Sequence, residues 1–184
     1  MLPFSKFTGI FLLLVTLSQP TYAQEAKVNW MSLEEAIAAQ QDEPRKIVMD
    51  VYTQWCGPCK MMMSRTFTNQ QVIDYINGNY YAVKFDAESA NPVQFKGKTF
   101  SNPGWKQNVR GRNSTHELSR ALGVNAYPTL VYMDENADII APISGYKTPP
   151  QLEMYLKFFV DKYNGDVAQE EWEEYRDNFQ PTFR

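Results

Sequence analysis

The chain contains only two cysteines, Cys56 and Cys59, and they are separated by Gly57 and Pro58. The mostly apolar segment 47–52 before them predicts a buried strand, and the residues after Cys59 predict a helix. A cysteine where a helix begins faces free backbone N–H groups and the positive end of the helix dipole, which favour its thiolate. The pair therefore requires a fold in which a strand ends at the start of a helix, with Cys56 as the more reactive thiol.

Three interpretations of the cysteine pair are open. Half of a zinc site is one, although two cysteines and a single histidine cannot supply four ligands without carboxylates. A structural disulfide is another, although so short a loop constrains the chain little. The third is a redox-active pair, in which Cys56 attacks a partner's disulfide and Cys59 resolves the mixed disulfide. The strand and helix around the pair favour this third interpretation.

The first 23 residues show the pattern of a secretory signal peptide. Lys6 precedes the apolar run 10–15, and small residues before position 24 form a cleavage site. The run is shorter than the ~20 residues that a membrane-spanning helix needs, and an uncleaved membrane anchor is the alternative. We expect cleavage after Ala23 and export to the periplasm or secretion, where disulfides form.

Helix and strand signals alternate along the rest of the chain. Segments 129–133 and 139–143 predict a β-hairpin, and Ser114 with Glu117 predicts a capping box that starts a helix. His116, the only histidine, is expected to be exposed. Together the crossover and hairpin connections predict an α/β fold with a mixed central sheet flanked by helices.

The chain divides into three predicted parts. A signal peptide, residues 1–23, precedes a domain over 24–165, and an acidic tail follows over 166–184. The domain carries a long polar insertion over 87–113, a length that is typical of functional or disordered loops. Aromatic residues at helical spacing in the tail predict that it docks as a short helix.

The charge balance excludes one class of partner. The chain has 18 Lys and Arg against 21 Asp and Glu, a formal net charge of -3. Because proteins that bind nucleic acid are typically basic, we expect no nucleic-acid partner. We expect a monomer whose partners are proteins that contain disulfides.

Residues 55–60, Trp-Cys-Gly-Pro-Cys-Lys, resemble the active site of the thioredoxin family, and the resemblance extends over roughly residues 45–160. It implies a thioredoxin fold, a mixed central β-sheet flanked by helices, and this chain carries a long insertion after the third strand of that fold. The segment 46–60 is also similar to the C-terminal domain of membrane thiol:disulfide interchange proteins. The insertion departs from the thioredoxin pattern, which is much shorter there.

The resemblance also implies which residues form the site. The catalytic residues are expected to be Cys56, Cys59 and Asp50, and Asp50 is expected to be a buried general base that takes the Cys59 proton. Lys84 is expected to neighbour this acid. No metal and no cofactor other than the redox-active disulfide Cys56–Cys59 is implied. The expected substrate-binding residues are Trp55, Gly57, Pro58, Tyr127 and Pro128, with a cis peptide bond before Pro128.

The two residues between the cysteines indicate the direction of electron flow. Gly-Pro resembles reducing thioredoxins, whereas a histidine there would favour a strong oxidant. We therefore expect an exported thiol-disulfide oxidoreductase that reduces partner proteins and is recharged by a membrane thiol electron donor. The alternatives are a disulfide isomerase or oxidase on the same fold, and a protein-binding module without turnover.

Overall fold

A computed structural model describes residues 26–166 and 168–184. The predicted signal peptide lies outside these residues, and within them no helix is long and apolar enough to cross a membrane. In chain order the elements are β1 (Trp30–Met31), α1 (Leu33–Asp42), β2 (Lys46–Tyr52), α2 (Gly57–Arg65), α3 (Gln70–Asn79), β3 (Tyr80–Asp86), β4 (Val93–Phe95), β5 (Lys98–Phe100), α4 (Glu117–Ala121), β6 (Thr129–Met133), β7 (Ile139–Ser144), α5 (Pro149–Asp161) and α6 (Gln169–Asn178).

The central sheet has five strands in the order β1-β3-β2-β6-β7. Strand β2 pairs in parallel with β3 and antiparallel with β6, and β7 returns beside β6 as a hairpin. The predicted mixed sheet and its hairpin are confirmed. The sequence did not predict β1, a two-residue strand that pairs in parallel with β3.

The sheet separates two apolar clusters, because alternate residues of a strand point to opposite faces. On one face, Val48 packs in a cluster with Met62 of α2 and with residues of α3 and α5. On the other face, Ile47 and Met49 pack with residues of α1 and α4. Asp50 alternates in step with Val48, so its side chain faces the side that α2 covers.

The start of α4 differs from the sequence prediction. Ser114 does not cap the helix, because its hydroxyl donates to Asn102 Oδ1 at 2.6 Å. The N-cap residue is His116, whose Nδ1 accepts a hydrogen bond from the Leu118 N–H. His116 is also fully buried, with Nε2 3.1 Å from the Asn91 carbonyl oxygen. The expectation of an exposed histidine is wrong because contacts with the insertion enclose the ring.

The insertion packs against the α1 and α4 side of the sheet. Its antiparallel β4–β5 hairpin places Val93 and Phe95 in the same cluster as α1. Farther along, Asn102 Nδ2 donates to the carbonyl oxygens of Ser89 and Ser114. These bonds join the two ends of the insertion to each other and hold them beside α4.

The tail folds back onto α5. Trp172 of α6 stacks on Tyr155, with 5.4 Å between ring centroids, and Phe183 is buried in the cluster beneath. The fully buried Glu153 of α5 accepts hydrogen bonds from the backbone N–H groups of Thr182 and Phe183. The predicted docking of the tail as a short helix is confirmed.

Candidate active site

The two cysteines form a disulfide at the start of α2, with an S–S distance of 2.06 Å. Cys56 is the N-cap residue, and its Sγ accepts a hydrogen bond from the Cys59 N–H at 3.1 Å. Pro58 occupies the first turn, where a missing N–H costs no helical hydrogen bond. Both cysteines are buried, whereas Gly57 and Pro58 between them are exposed. The pair can therefore open to a dithiol whose N-terminal member faces the free N–H groups of a helix.

Asp50 is a buried carboxylate in the strand that leads to this helix. Its side chain is 2% exposed, and Oδ1 has no hydrogen-bond partner. Burial raises the pKa of Asp50 to about 7, and the positive charge of Lys84 opposes part of that rise. A group with this pKa both accepts and releases a proton near neutral pH. The predicted burial is confirmed, and the role as general base stays a prediction.

Lys84 lies directly beside Asp50 in the pairing of β2 with β3. Its Nζ donates to Met63 Sδ at 3.2 Å and lies 4.8 Å from the centroid of the Tyr52 ring. A cavity of about 280 Å³ is lined by Cys59, Lys84, Met63 and Tyr52, among others. A space of this size has room for water beside Cys59.

Trp55 is held by residues from two distant segments. Its ring meets Tyr127 edge to face, with 5.9 Å between centroids, and its Nε1 donates to Glu88 Oε1 at 2.8 Å. The Arg112 guanidinium lies 4.2 Å from the Trp55 ring centroid. The peptide bond between Tyr127 and Pro128 is cis, and Pro128 leads into β6. The structure thus brings Trp55, the residue before Cys56, into contact with Tyr127, the residue before the cis proline.

Sequence reasoning missed three residues that touch the site: Met63, Glu88 and Arg112. Met63 contacts Lys84, while Glu88 and Arg112 contact Trp55 from the two ends of the insertion. None of them carries a local motif, because each contact joins segments that are far apart in the sequence. The length of the insertion was the one available signal.

Among the residues that the structure describes, no group of three or more His, Cys, Asp or Glu side chains is placed to hold a metal ion. Both sulfurs are bonded to each other. The site thus combines a disulfide at a helix N-terminus, a buried acid and a cavity beside Cys59.

Comparison with known proteins gives one family. The model of the thioredoxin-like domain matches residues 33–160. Mitochondrial thioredoxin of Bos taurus is 26% identical over 114 residues, which are 62% of this chain and 51% of that protein. Thioredoxin C-3 of Corynebacterium nephridii is 28% identical over 122 residues, 65% of this chain and 62% of that protein. The chain thus spans between half and two thirds of the length of these curated relatives.

A solved structure shows the same fold. A thioredoxin-fold protein from Helicobacter pylori superposes with a TM-score of 0.57, at 18% identity, over 78% of this chain and 94% of that one. At this identity the likeness concerns the fold alone. The thioredoxin fold that the sequence predicted is confirmed.

Proposed function

The chain belongs to the thioredoxin-like family, and from this premise we propose that it is an exported thiol-disulfide oxidoreductase that reduces disulfides in partner proteins. The observation that carries the proposal is the disulfide between Cys56 and Cys59 at the N-terminus of α2. The names of the two curated relatives, both thioredoxins, agree with it.

The reduction proceeds in two exchanges. In the reduced protein, the Cys56 thiolate attacks one sulfur of the partner's disulfide, and the partner's other sulfur leaves as a thiolate. Cys59 then gives up its proton and attacks Cys56 Sγ, which forms the Cys56–Cys59 disulfide and releases the partner's second sulfur. The partner gains two electrons and this protein loses two.

Asp50 is proposed as the acceptor of the Cys59 proton. Its pKa of about 7 suits a base that is reloaded in each cycle at neutral pH. The cavity of about 280 Å³ that both Cys59 and Lys84 line supports transfer through water. The positive charge of Lys84 stabilises the carboxylate form of Asp50 and so lowers its pKa.

Each turnover leaves the protein oxidised, so it needs a supply of electrons. Because the redox chemistry of the chain resides in its own disulfide, another thiol must reduce that disulfide after each turnover. For an exported protein, we propose a membrane thiol electron donor. The pattern of residues 1–23 supports export to the periplasm or secretion. The Gly-Pro dipeptide supports a reducing potential. Reducing thioredoxins have potentials of about -270 mV, whereas strong oxidants have potentials of about -120 mV.

Insulin reduction by dithiothreitol tests the proposal. The wild-type protein should accelerate it, and Cys56→Ser should abolish that acceleration while the exposed control Ser64→Ala preserves it. Equal activity of Cys56→Ser and wild type would refute a catalytic cysteine and favour a binding module. Equilibration with glutathione measures the potential, and a value near that of strong oxidants would refute the reductase in favour of an oxidase or isomerase.

A further inference from the structure

The insertion is the most basic part of an acidic chain. Residues 87–113 contain one acid, Glu88, and five Lys or Arg, whereas the whole chain has a net charge of -3. Glu88 is engaged with Trp55, and Lys96 pairs with Asp138. The other cations of the insertion have no carboxylate partner within salt-bridge distance among the described residues. They are Lys98, Lys106, Arg110 and Arg112.

Three of these cations lie in one short segment that adjoins the active site. We call residues 105–112 the docking ledge. Arg112 at one end lies over the Trp55 ring. The next residue, Asn113, exchanges two hydrogen bonds with the Lys106 backbone, accepting at 3.0 Å and donating at 2.8 Å, and so draws the other end of the docking ledge to the same place. Lys106 and Arg110 are exposed.

The docking ledge is also where large apolar side chains are exposed. Within the described ranges four such side chains are prominent on the surface. Trp105 and Val109, each 40% exposed, lie in the docking ledge, and Trp55, 37% exposed, lies against its Arg112. Tryptophan and arginine are among the residue types that are enriched at the energetic centres of protein interfaces. Apolar contacts surrounded by cations suit a polypeptide with apolar and acidic residues.

We propose that the docking ledge selects partner proteins whose disulfide is flanked by Asp or Glu. The inference rests on the proposed function and names its substrate class. Lys106 and Arg110 attract the acidic flank, Trp105 and Val109 pack against apolar neighbours, and Arg112 links this surface to Trp55 beside the disulfide. The electron transfer itself is the two-step exchange given above, and the docking ledge changes only how quickly an acidic partner is captured.

Two cyclic peptides with the same disulfide loop, one flanked by Asp and Glu and the other by Lys and Arg, test the inference. At low ionic strength the wild-type protein should reduce the acidic peptide with a kcat/KM about tenfold higher than the basic one, and salt should shrink this preference. Lys106→Gln/Arg110→Gln should remove most of the preference. The reversal Lys106→Glu/Arg110→Glu should favour the basic peptide. Equal rates for the two peptides with the wild-type protein would overturn the inference.

A charge-matched control separates a local surface from net charge. Lys27→Gln/Lys162→Gln removes two exposed cations outside the insertion and should leave the preference intact. If it lowers the preference as much as the variant of the docking ledge does, the effect is one of net charge and the inference fails. A dimer of this chain that dissolves on Lys106→Gln/Arg110→Gln would also overturn it, because a second copy would then occupy the surface.

Binding distinguishes failure of this inference from failure of the proposed function. Serine-substituted versions of both peptides cannot be reduced, and their binding to the oxidised protein is measured by Trp fluorescence. Tighter binding of the acidic peptide that depends on Lys106 and Arg110 supports the docking ledge even if no peptide is reduced. Turnover of both peptides with equal binding supports the reductase and refutes the docking ledge.

Discussion

Asp50 is energetically costly where it lies. Its carboxyl is buried and Oδ1 lacks a partner, so the fold favours the protonated form, with a pKa near 7 in place of 3.8. The folded protein therefore holds this proton more tightly than the unfolded chain does. The stability that protonated Asp50 contributes is fully present below about pH 4 and is lost as the pH rises towards 7. Above about pH 7 it changes no further. A buried acid that costs stability is expected at a site where function requires it.

Asp50→Asn should stabilise the oxidised protein at pH 8 by about 2–4 kcal/mol, because a shift of roughly three pKa units at about 1.4 kcal/mol each is removed. At pH 4 the gain should nearly vanish. Urea unfolding at both pH values measures it, with the exposed Asp42→Asn as control. Equal stability of wild type and Asp50→Asn at pH 8 would mean that the carboxylate is not destabilised by burial.

The same substitution should slow oxidation of the dithiol. In the wild type, the rate of the second exchange should rise with pH through about 7 as Asp50 ionises. Asp50→Asn should lower that rate by about a hundredfold or more near pH 7, because a general base typically contributes about 10²–10⁴-fold. Stopped-flow measurement between pH 6 and 8 gives the profile. An unchanged rate across this range would exclude Asp50 as the proton acceptor.

At the scale of elements, α5 fixes the tail through one buried carboxylate. Glu153 accepts from Lys157 and from the backbone N–H groups of Thr182 and Phe183. Burial alone would raise the pKa of Glu153, but these donors outweigh it and hold the pKa below its ordinary value. Because the folded pKa is lowered, this stabilisation is present above the unfolded pKa and is lost as the pH falls through the folded one.

Glu153→Gln should destabilise the protein by about 1–3 kcal/mol at pH 7, the usual range when a buried charge-assisted hydrogen bond is lost. The difference from wild type should narrow as the pH falls below about 4, because the unfolded chain then takes up a proton at Glu153 before the folded protein does. Thermal melts across this pH range test it, with the exposed Glu174→Gln as control. A loss of stability that stays constant down to pH 3 would contradict the titration of Glu153.

At the scale of the whole molecule, the sequence predicted the elements that show a local pattern and the site that one short motif marks. The strand before Cys56, the helix after it and the 129–143 hairpin follow from periodicity and turn residues, and all are present. Strand β1 was not predicted, because it is too short to show the alternation of apolar and polar residues that indicates a strand. His116 and Ser114 were misplaced because their partners lie in the insertion, beyond the reach of capping rules.

The same distinction applies to the candidate active site, where the reacting groups were predicted and the contacts around them were not. The burial of Asp50 was visible in the apolar strand around it, and the structure agrees. The contacts of Glu88 and Arg112 with Trp55 were not visible, since they depend on how the insertion folds back over the site. Sequence motifs thus predicted the reacting groups, whereas the surroundings that choose a partner required the tertiary structure.

Helix α3 holds both ends of the described chain. Near its C-terminal end, Asn77 accepts from the Asn29 N–H and donates to the Lys27 carbonyl. Near its start, Asn69 donates to the Arg184 carbonyl. These two asparagines are eight residues apart, so about 12 Å of helix separates the two anchoring points.

A circular permutant is therefore expected to fold. A linker of about six residues can reach between residues 27 and 184, since each extended residue spans about 3.3 Å. New ends in the exposed turn at Gly97 would leave the central sheet uninterrupted. Its thermal unfolding should remain cooperative, and a permutant that does not unfold cooperatively would contradict this expectation.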